Sequence, residues 1–295
     1  MIRVAVVGDV VLDVVVRVRA PLAATSDTPA ETVVGRGGSG ANLAVSLARA
    51  GCAVTFVGAA GRDGAARLVE EDLARQGVRA HLLRSGDTTG TVVALVDERG
   101  QRAMLTDRGA NGALDPDAVA AALPGDATHL HVSGYTVLDG RTRDGAATLL
   151  ARARAAGWST SVDVCSVAPL RALGREAFLA ATRAASMLFA NAEEAAALSG
   201  CVDPDGALDA LAEGYGEVLV TRGADGAAAA RGSERARADA RATTVVDTTG
   251  AGDAASGAYL AARLAGEGLA GALEAAMAAA ARVVGGLGAV PYSRE

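Results

Sequence analysis

The sequence predicts an α/β fold in which a mostly parallel sheet is wrapped by helices, and three observations carry that reading. From His129 onward, short apolar runs alternate with helical segments, the pattern of consecutive β–α units. The chain opens on Ile2 to Val7, an unbroken apolar run of the kind that is buried on both faces of a parallel sheet. Near the C-terminus a glycine-rich turn, Asp247-Thr248-Thr249-Gly250-Ala251-Gly252-Asp253, runs straight into the helix-forming stretch Ala258 to Leu264.

The elements follow in order. After the first strand ends at Gly8-Asp9, Val14 to Val18 and Thr32 to Val34 read as short, more exposed strands. Asn42 to Ala50 is helical with Gly51 as its stop, Val54 to Val57 is a strand, and Ala65 to Gln76 is a helix ended by Gly77. Val78 to Arg84 and Thr91 to Asp97 read as strands, and Arg99-Gly100 turns into Gln101 to Thr106 as a hairpin. Beyond these, strands at His129 to Val132, Ser159 to Val164, Met187 to Ala190 and Val218 to Thr221 alternate with helices at Thr142 to Ala156, Leu170 to Ala181, Ala192 to Leu198 and Leu208 to Glu213. Val245-Val246 leads into the glycine-rich turn, and Leu273 to Val284 closes the chain as an Ala-rich helix.

Composition narrows the function. The 295 residues suffice for one large α/β domain or two smaller ones, and no internal repeat or disordered linker divides them. A hydrophobic fraction of 51% supplies a core, although aromatic residues make up only 3%. The net charge of −6 contains no run of like charges, so neither nucleic acid nor an anionic membrane is an expected partner. With no signal peptide and no apolar stretch long enough to cross a bilayer, a soluble cytoplasmic protein is expected. Cys52, Cys165 and Cys201 are widely spaced and lack metal-binding spacing, as expected of buried thiols in a reducing compartment.

All 28 basic residues among Lys and Arg are arginine. The absence of lysine excludes a Walker A loop, Schiff-base chemistry and a protein-kinase site that works through its strand lysine. Any nucleotide phosphate must therefore be held by backbone amides, arginine and metal.

The C-terminal turn carries the chemistry. Gly250 to Asp253 lie at a helix N-terminus, where amides without intrahelical partners and the macrodipole attract an anion. Glycine removes Cβ atoms that would block a phosphate. A carboxylate at Asp253 would repel that phosphate unless it takes a proton from the group attacking it. A capped turn before an ordinary helix is the plainer alternative.

The whole string resembles the C-terminal signature of the ribokinase-like sugar kinases, the carbohydrate kinases of the phosphofructokinase B type. Gly37-Gly38-Ser39-Gly40-Ala41-Asn42 resembles that family's N-terminal signature, in which the glycine pair lets a polyol lie against the backbone and the Asn amide meets sugar hydroxyls. Gly35, Gly37 and Gly40 also satisfy a dinucleotide-binding G-x-G-x-x-G. Their position argues against an NAD-dependent oxidoreductase, because the first strand-to-helix junction is expected at Gly8-Asp9 and Asp63 lies well past its strand. Gly8-Asp9-x-x-x-Asp13 resembles the family's opening strand, with Asp13 implied to bind substrate.

The resemblance extends along the chain. Asn191-Ala192-Glu193-Glu194 resembles the N-x-x-E element that positions Mg²⁺ on the nucleotide, largely through water; an N-capped helix with a capping box fits the same residues. Thr221-Arg222-Gly223-Ala224-Asp225-Gly226 resembles a nucleotide-binding turn, and Leu287-Gly288-Ala289 the element beside the adenine. Asp247 and Thr249 match positions able to line a monovalent-cation site, which implies potassium activation. His129 and His131 share one face of a strand and, like His81, read as structural.

The family implies a single ribokinase-like αβα domain over residues 1–295, with a small β-sheet lid from about 11–34 and 87–106. It implies ATP- and Mg²⁺-dependent phosphorylation of a sugar-like hydroxyl, with Asp253 as base and the amides of Gly250, Ala251, Gly252 and Asp253 as anion hole. Base strength matters little in a loose phosphoryl transition state, so positioning should dominate. Pairing of two copies through the lid is a further expectation. Sugars, sugar acids, sugar phosphates and nucleosides all stay open as substrates, although the lid offers no aromatic residue to stack on a base. Arg36, Arg102 and Arg108 are either solvated or face an anionic substrate group, and Ser133-Gly134-Tyr135 and Asp163-Val164-Cys165-Ser166 have no family match. A non-catalytic sugar sensor is the alternative from another class, and the intact Asp253 speaks against it.

Overall fold

The computed structural model describes residues 1–23, 25–97, 102–244 and 248–285, with only the backbone described at Arg102. Thirteen strands fall within these residues: β1 Arg3–Val7, β2 Val11–Val18, β3 Ala30–Gly37, β4 Ala53–Ala60, β5 Arg79–Arg84, β6 Thr91–Val96, β7 Arg102–Asp107, β8 His129–Val132, β9 Ser159–Asp163, β10 Met187–Asn191, β11 Glu217–Thr221, β12 Ala227–Arg231 and β13 Glu234–Ala238. The helices are α1 Ser39–Arg49, α2 Gly64–Arg75, α3 Pro116–Ala122, α4 Gly134–Leu138, α5 Arg143–Ala155, α6 Val167–Leu173, α7 Arg175–Thr182, α8 Ala192–Ser199, α9 Pro204–Ala212, α10 Ala251–Leu264 and α11 Leu269–Val284.

Nine strands form one sheet in the order β13-β12-β11-β10-β9-β8-β1-β4-β5. Every pairing from β11 to β5 is parallel, and only the β11–β12–β13 edge is antiparallel. Alternate residues of each central strand enter opposite cores, as the two-residue strand repeat requires. Val4 and Val6 pack with α1, α2, α10 and α11, whereas Ala5 and Val7 pack with helices from α3 to α9. Helices on both faces of a mostly parallel sheet make three layers, as the sequence predicts.

The other four strands form a separate sheet, β3-β2-β6-β7, in which only β2–β6 is parallel. Val34, Met104 and Leu105 are exposed on it.

Local structure departs from the sequence reading in instructive places. Gly8-Asp9 leads into β2 rather than a helix, so the first strand-to-helix junction is β3 into α1, at the glycine cluster itself. β3 belongs to the small sheet and pairs antiparallel, so the dinucleotide fingerprint lacks its parallel core strand. The expected helix Leu170 to Ala181 is two helices, broken at Gly174, whose φ of 91° no right-handed helix accommodates. β12 and β13 are absent from the sequence reading because their alanine-rich run carries little strand propensity. Val245-Val246 lies outside the described residues.

Two features aim the helices that matter for function. A Cβ on Gly257 would come within 2.5 Å of Ser46 Cβ, so glycine there lets α10 lie close against α1. Ser46 Oγ then donates to the Ala254 carbonyl at 2.8 Å. Further along α10, Arg263 donates to both oxygens of the buried Glu217 on β11, at 2.7 and 2.9 Å, and Tyr259 donates to the same carboxylate at 2.8 Å. The far end of α10 is thereby fixed to the sheet, and its N-terminus is held beside that of α1.

Candidate active site

The strand order reverses between β1 and β8: from β1 the chain builds outward to β4 and β5, and from β8 the other way to β9, β10 and β11. Open parallel sheets place ligands outside the carboxyl ends of their strands at such a point. A cleft of about 950 Å³ opens there, roofed by residues of β2, β6 and β7 from the small sheet. Asp9 after β1, Asp163 at the end of β9, Asn191 at the end of β10 and Thr221 at the end of β11 all line it.

Two helix N-termini meet at its floor. Gly250 caps α10 in the left-handed conformation (φ 75°) and no side chain caps the helix, so the amides of Gly252 and Asp253 have no intrahelical acceptor where they border the cleft. That open N-terminus fits a phosphate.

Asp253 itself accepts from Asn42 Nδ2 at 2.9 Å and approaches Ser39 Oγ at 2.9 Å. Burial and then the neighbouring Asp163 charge push its pKa up to about 7, against the pull of the Asn42 and Ser39 hydrogen bonds. The sequence reading required no such shift, since a loose phosphoryl transition state asks for little base strength, and it did not place Asp163 beside Asp253.

Asp163 moves the other way. Burial opposes its ionisation, but His131, with Nε2 3.6 Å away, and hydrogen bonds from Cys165 and the Gly134 amide outweigh that cost and hold its carboxyl below the usual range. Asp9 accepts from the Ser133 hydroxyl at 3.0 Å and from the Gly40 amide at 3.2 Å, and Arg108 approaches it at 3.4 Å. Arg108 also lies over the Tyr135 ring, 4.5 Å from its centroid.

The glycine cluster has a local reason beyond ligand approach. A Cβ on Gly37 would collide with the Asp13 carboxyl group, so the glycine makes room for that acid at the cleft wall. Gly38 is the N-cap of α1 at φ 97° and lines the cleft. Asn42 has both amide ends engaged, its oxygen accepting from Arg36 Nη1 at 2.5 Å. Arg36, left open in the sequence as a substrate contact, is buried behind the cleft and pairs with Asp72 at 2.9 Å, because burial without a carboxylate partner would be costly.

At the end of β10, Asn191 and Glu194 exchange both hydrogen bonds of a capping box, each at 2.9 Å, while lining the cleft. The capping-box reading of this motif is therefore seen directly, and its place on the cleft wall is compatible with the other. Burial, joined by the charges of Asp163 and Glu193, pushes Glu194 up to about 7. A buried carboxylate in that state fits a nearby cation, and Mg²⁺ needs few protein ligands because it keeps waters and binds phosphate. No cluster of three His, Cys, Asp or Glu side chains able to hold a metal occurs among the described residues.

Thr221, Thr248 and Thr249 line the cleft, whereas Gly223 and Gly226 shape the turn behind it. Ala251 opens the first turn of α10. Asp247 and Gly288 lie outside the described residues, as does the Arg102 side chain.

Sequence reasoning gave Ser39, Asp163 and Cys165 no part in the site and read His131 as structural. Ser39 sat unremarked inside the glycine signature, and Asp163 ends a strand, as Asn191 does, but without a motif around it.

Comparison with known proteins agrees with this fold. Residues 1–294 match the pfkB family carbohydrate kinases. The ATP-dependent ribose-1-phosphate kinase of Halopiger xanaduensis is 32% identical over 266 residues, covering 88% of this chain and 84% of that protein. The crystal structure of a probable sugar kinase from Rhizobium etli superposes with a TM-score of 0.89 at 26% identity, covering 99% of this chain and 96% of that one. Adenosine kinase from Sinorhizobium meliloti superposes with a TM-score of 0.87 at 27% identity, covering 99% and 96%. One fold thus carries both sugar and nucleoside kinases, so the cleft must decide the substrate. Among the described residues no helix is long and apolar enough to cross a membrane.

Proposed function

The chain belongs to the pfkB family of carbohydrate kinases, and from that membership we propose that it transfers the γ-phosphoryl group of ATP to a hydroxyl of a sugar-like substrate, with Asp253 as the base. The observation that carries this reading is the juxtaposition of Asp253 with the uncapped N-terminus of α10 at one end of the cleft. A carboxylate beside an anion-binding turn has a task only if something next to that anion gives up a proton.

The residues divide the work. The amides of Gly252 and Asp253, preset before the substrate arrives, stabilise charge on the transferring group. Asn42 and Ser39 hold the Asp253 carboxyl in place. Glu194 and Asn191 face the nucleotide end, where they would hold Mg²⁺ through its waters, and the cation when bound offsets phosphate charge. The β2, β6 and β7 surface over the cleft would exclude water as the site closes, limiting ATP hydrolysis. Residues 11–34 and 87–106 act as the lid in this reading.

The charge of the cleft points to the substrate class. Asp9, Asp13, Asp139, Asp163, Glu194 and Asp253 line it against Arg108 alone among the described basic residues. Such a wall suits a neutral polyhydroxyl compound, whose hydroxyls donate to carboxylates. A sugar bearing one phosphate is the second reading, favoured by Arg108 over Tyr135 in the cleft and by the ribose-1-phosphate kinase relative. ADP formation with Mg-ATP across sugars, sugar acids, sugar phosphates and nucleosides decides between them. Turnover of sugar phosphates alone, lost in Arg108→Ala, would establish the second reading, and turnover of nucleosides alone would overturn both.

Two secondary expectations belong to the same proposal. Turnover in potassium, against buffer free of sodium and potassium, tests a cation role for Asp247 and Thr249. Light scattering tests pairing of two copies through the small sheet, where Val34, Met104 and Leu105 are exposed.

A further inference from the structure

We propose that Ser39 and Asp163 form a proton-holding unit with Asp253, in which the Ser39 hydroxyl turns to whichever carboxylate is ionised, and that these two positioning residues set the pH at which the base becomes active. The inference rests on the assignment of Asp253 as base.

Ser39 Oγ lies 2.8 Å from Asp163 Oδ2 and 2.9 Å from Asp253 Oδ1. A hydroxyl carries one proton and cannot donate to both. With both acids ionised, one of these short contacts would set lone pair against lone pair. Both are satisfied when one carboxyl group is protonated and donates to Ser39, which in turn donates to the other.

The surroundings choose the holder. Asp163 accepts from the Gly134 amide at 2.7 Å and from Cys165 Sγ at 3.0 Å, with His131 Nε2 at 3.6 Å, all of which favour its ionised form. Among the described residues, Asp253 has only the Asn42 amide besides Ser39. The proton therefore rests on Asp253, in keeping with its pKa near 7 and the depressed pKa of Asp163.

Behind Asp163 a polar row runs through the core. Ser159, His129, Ser161 and His131 follow one another at 2.7, 2.8 and 2.9 Å along β8 and β9. Burial pushes His129 down to about 3, so its ring is neutral. With Asp163 ionised, the row runs so that each hydroxyl or ring N–H donates to the next member, which leaves His131 Nε2–H facing Asp163 at 3.6 Å, beyond a hydrogen bond (an assignment from the network). His131 also stacks on Phe189, with centroids 6.0 Å apart, which holds its ring in that orientation.

Other charged and titratable groups leave the choice unchanged. Asp9, beyond β1, adds a further negative charge that raises Asp253, and it is approached by Arg108. Arg36 stands one step away, behind Asn42. Asp13 on β2 and Glu194 on α8 line the same cleft, and α10 has no acid in its first turn other than Asp253. Cys165 stays a protonated thiol, its pKa raised by burial and then by Asp163.

During transfer the substrate O–H bond breaks and its proton goes to Asp253 as the new O–P bond forms and the bond to ADP breaks. The new Asp253 O–H donates to Ser39, whose own O–H turns to Asp163. No proton leaves the three groups in this step; it returns to solvent after the product departs.

The test follows kcat/KM against pH for the parent, Asp163→Asn and Ser39→Ala. In parallel, Asp253 is titrated in each substrate-free protein by carboxyl ¹³C NMR, with Asp253→Asn assigning its signal and near-UV circular dichroism confirming the fold. The parent should lose activity below about 7, where Asp253 takes its proton. Asp163→Asn removes a like charge and should move both the acid limb and the NMR midpoint down by about one pH unit or more. Ser39→Ala removes the hydroxyl that accepts from protonated Asp253 and relays to Asp163, and should move both down as well. Midpoints unmoved in both variants, whatever the loss of rate, would overturn the proposal. NMR midpoints that move while the acid limb stays put would uphold the proton-holding unit and overturn the assignment of Asp253 as base.

Discussion

Asn42 Nδ2 donates to Asp253 Oδ2 at 2.9 Å, which joins the first glycine signature to the last across 211 residues of chain. The same amide accepts from Arg36 on its oxygen, so its orientation is fixed from behind. The helix that carries the expected substrate contact thus also holds the proposed base.

Replacing that donor with a like charge should be costly. In Asn42→Asp the carboxylates at positions 42 and 253 face each other, and the pKa of Asp253 rises further. Turnover at neutral pH should fall roughly tenfold or more, with partial recovery at higher pH as Asp253 ionises. A pH–rate profile superimposable on the parent's would count against this contact.

Asp253 also leaves a mark on stability. Its raised pKa means that the folded state binds the proton more tightly than the unfolded chain, whose value is near 3.8. Folding therefore loses stability from this group as pH rises from about 4 through about 7, and the loss is complete above that window. Asp253→Asn should melt roughly 2–5 °C above the parent in mildly alkaline buffer, with the gap closing towards about pH 4. Calorimetric scans at the two pH values check it.

Glu194→Gln keeps the shape of the capping box and removes the charge. The Mg²⁺ concentration that half-saturates turnover should rise about tenfold or more, while substrate KM at saturating metal changes little. A magnesium titration of ADP formation reads this directly.

Arg263→Met tests the anchor of α10. It leaves Glu217 buried with the Tyr259 hydroxyl as its nearest donor, and Arg231, 3.8 Å away on the surface, compensates weakly. The expected loss is about 3–5 kcal/mol in urea unfolding. Stability within about 0.5 kcal/mol of the parent would show that the pair does not hold the helix.

The layered fold was legible in the sequence because buried parallel strands and helices differ in period, and the alternation after His129 is regular. The ends of the cleft were legible as well, since Gly250 to Asp253 and Asn191 to Glu194 carry their chemistry in contiguous residues. Between those ends the site is assembled from single residues at separate strand ends. Asp9, Asp163 and Ser39 meet only because β1, β9 and α1 converge, and nothing in the local sequence around Asp163 marks it. The role of Arg36, on β3, was equally hidden, because its partner Asp72 lies on α2. The β12–β13 hairpin escaped notice for the opposite reason: its alanines are strand residues by tertiary context rather than by propensity.

The central claim is that Asp253 takes the substrate proton. It is tested most directly by kcat for ADP formation in Asp253→Asn, measured on the substrate the parent uses, with ATP binding followed by calorimetry. The account predicts a fall of about 10²–10⁴-fold in kcat with ATP still bound and the fold intact. Turnover within a few-fold of the parent would contradict it.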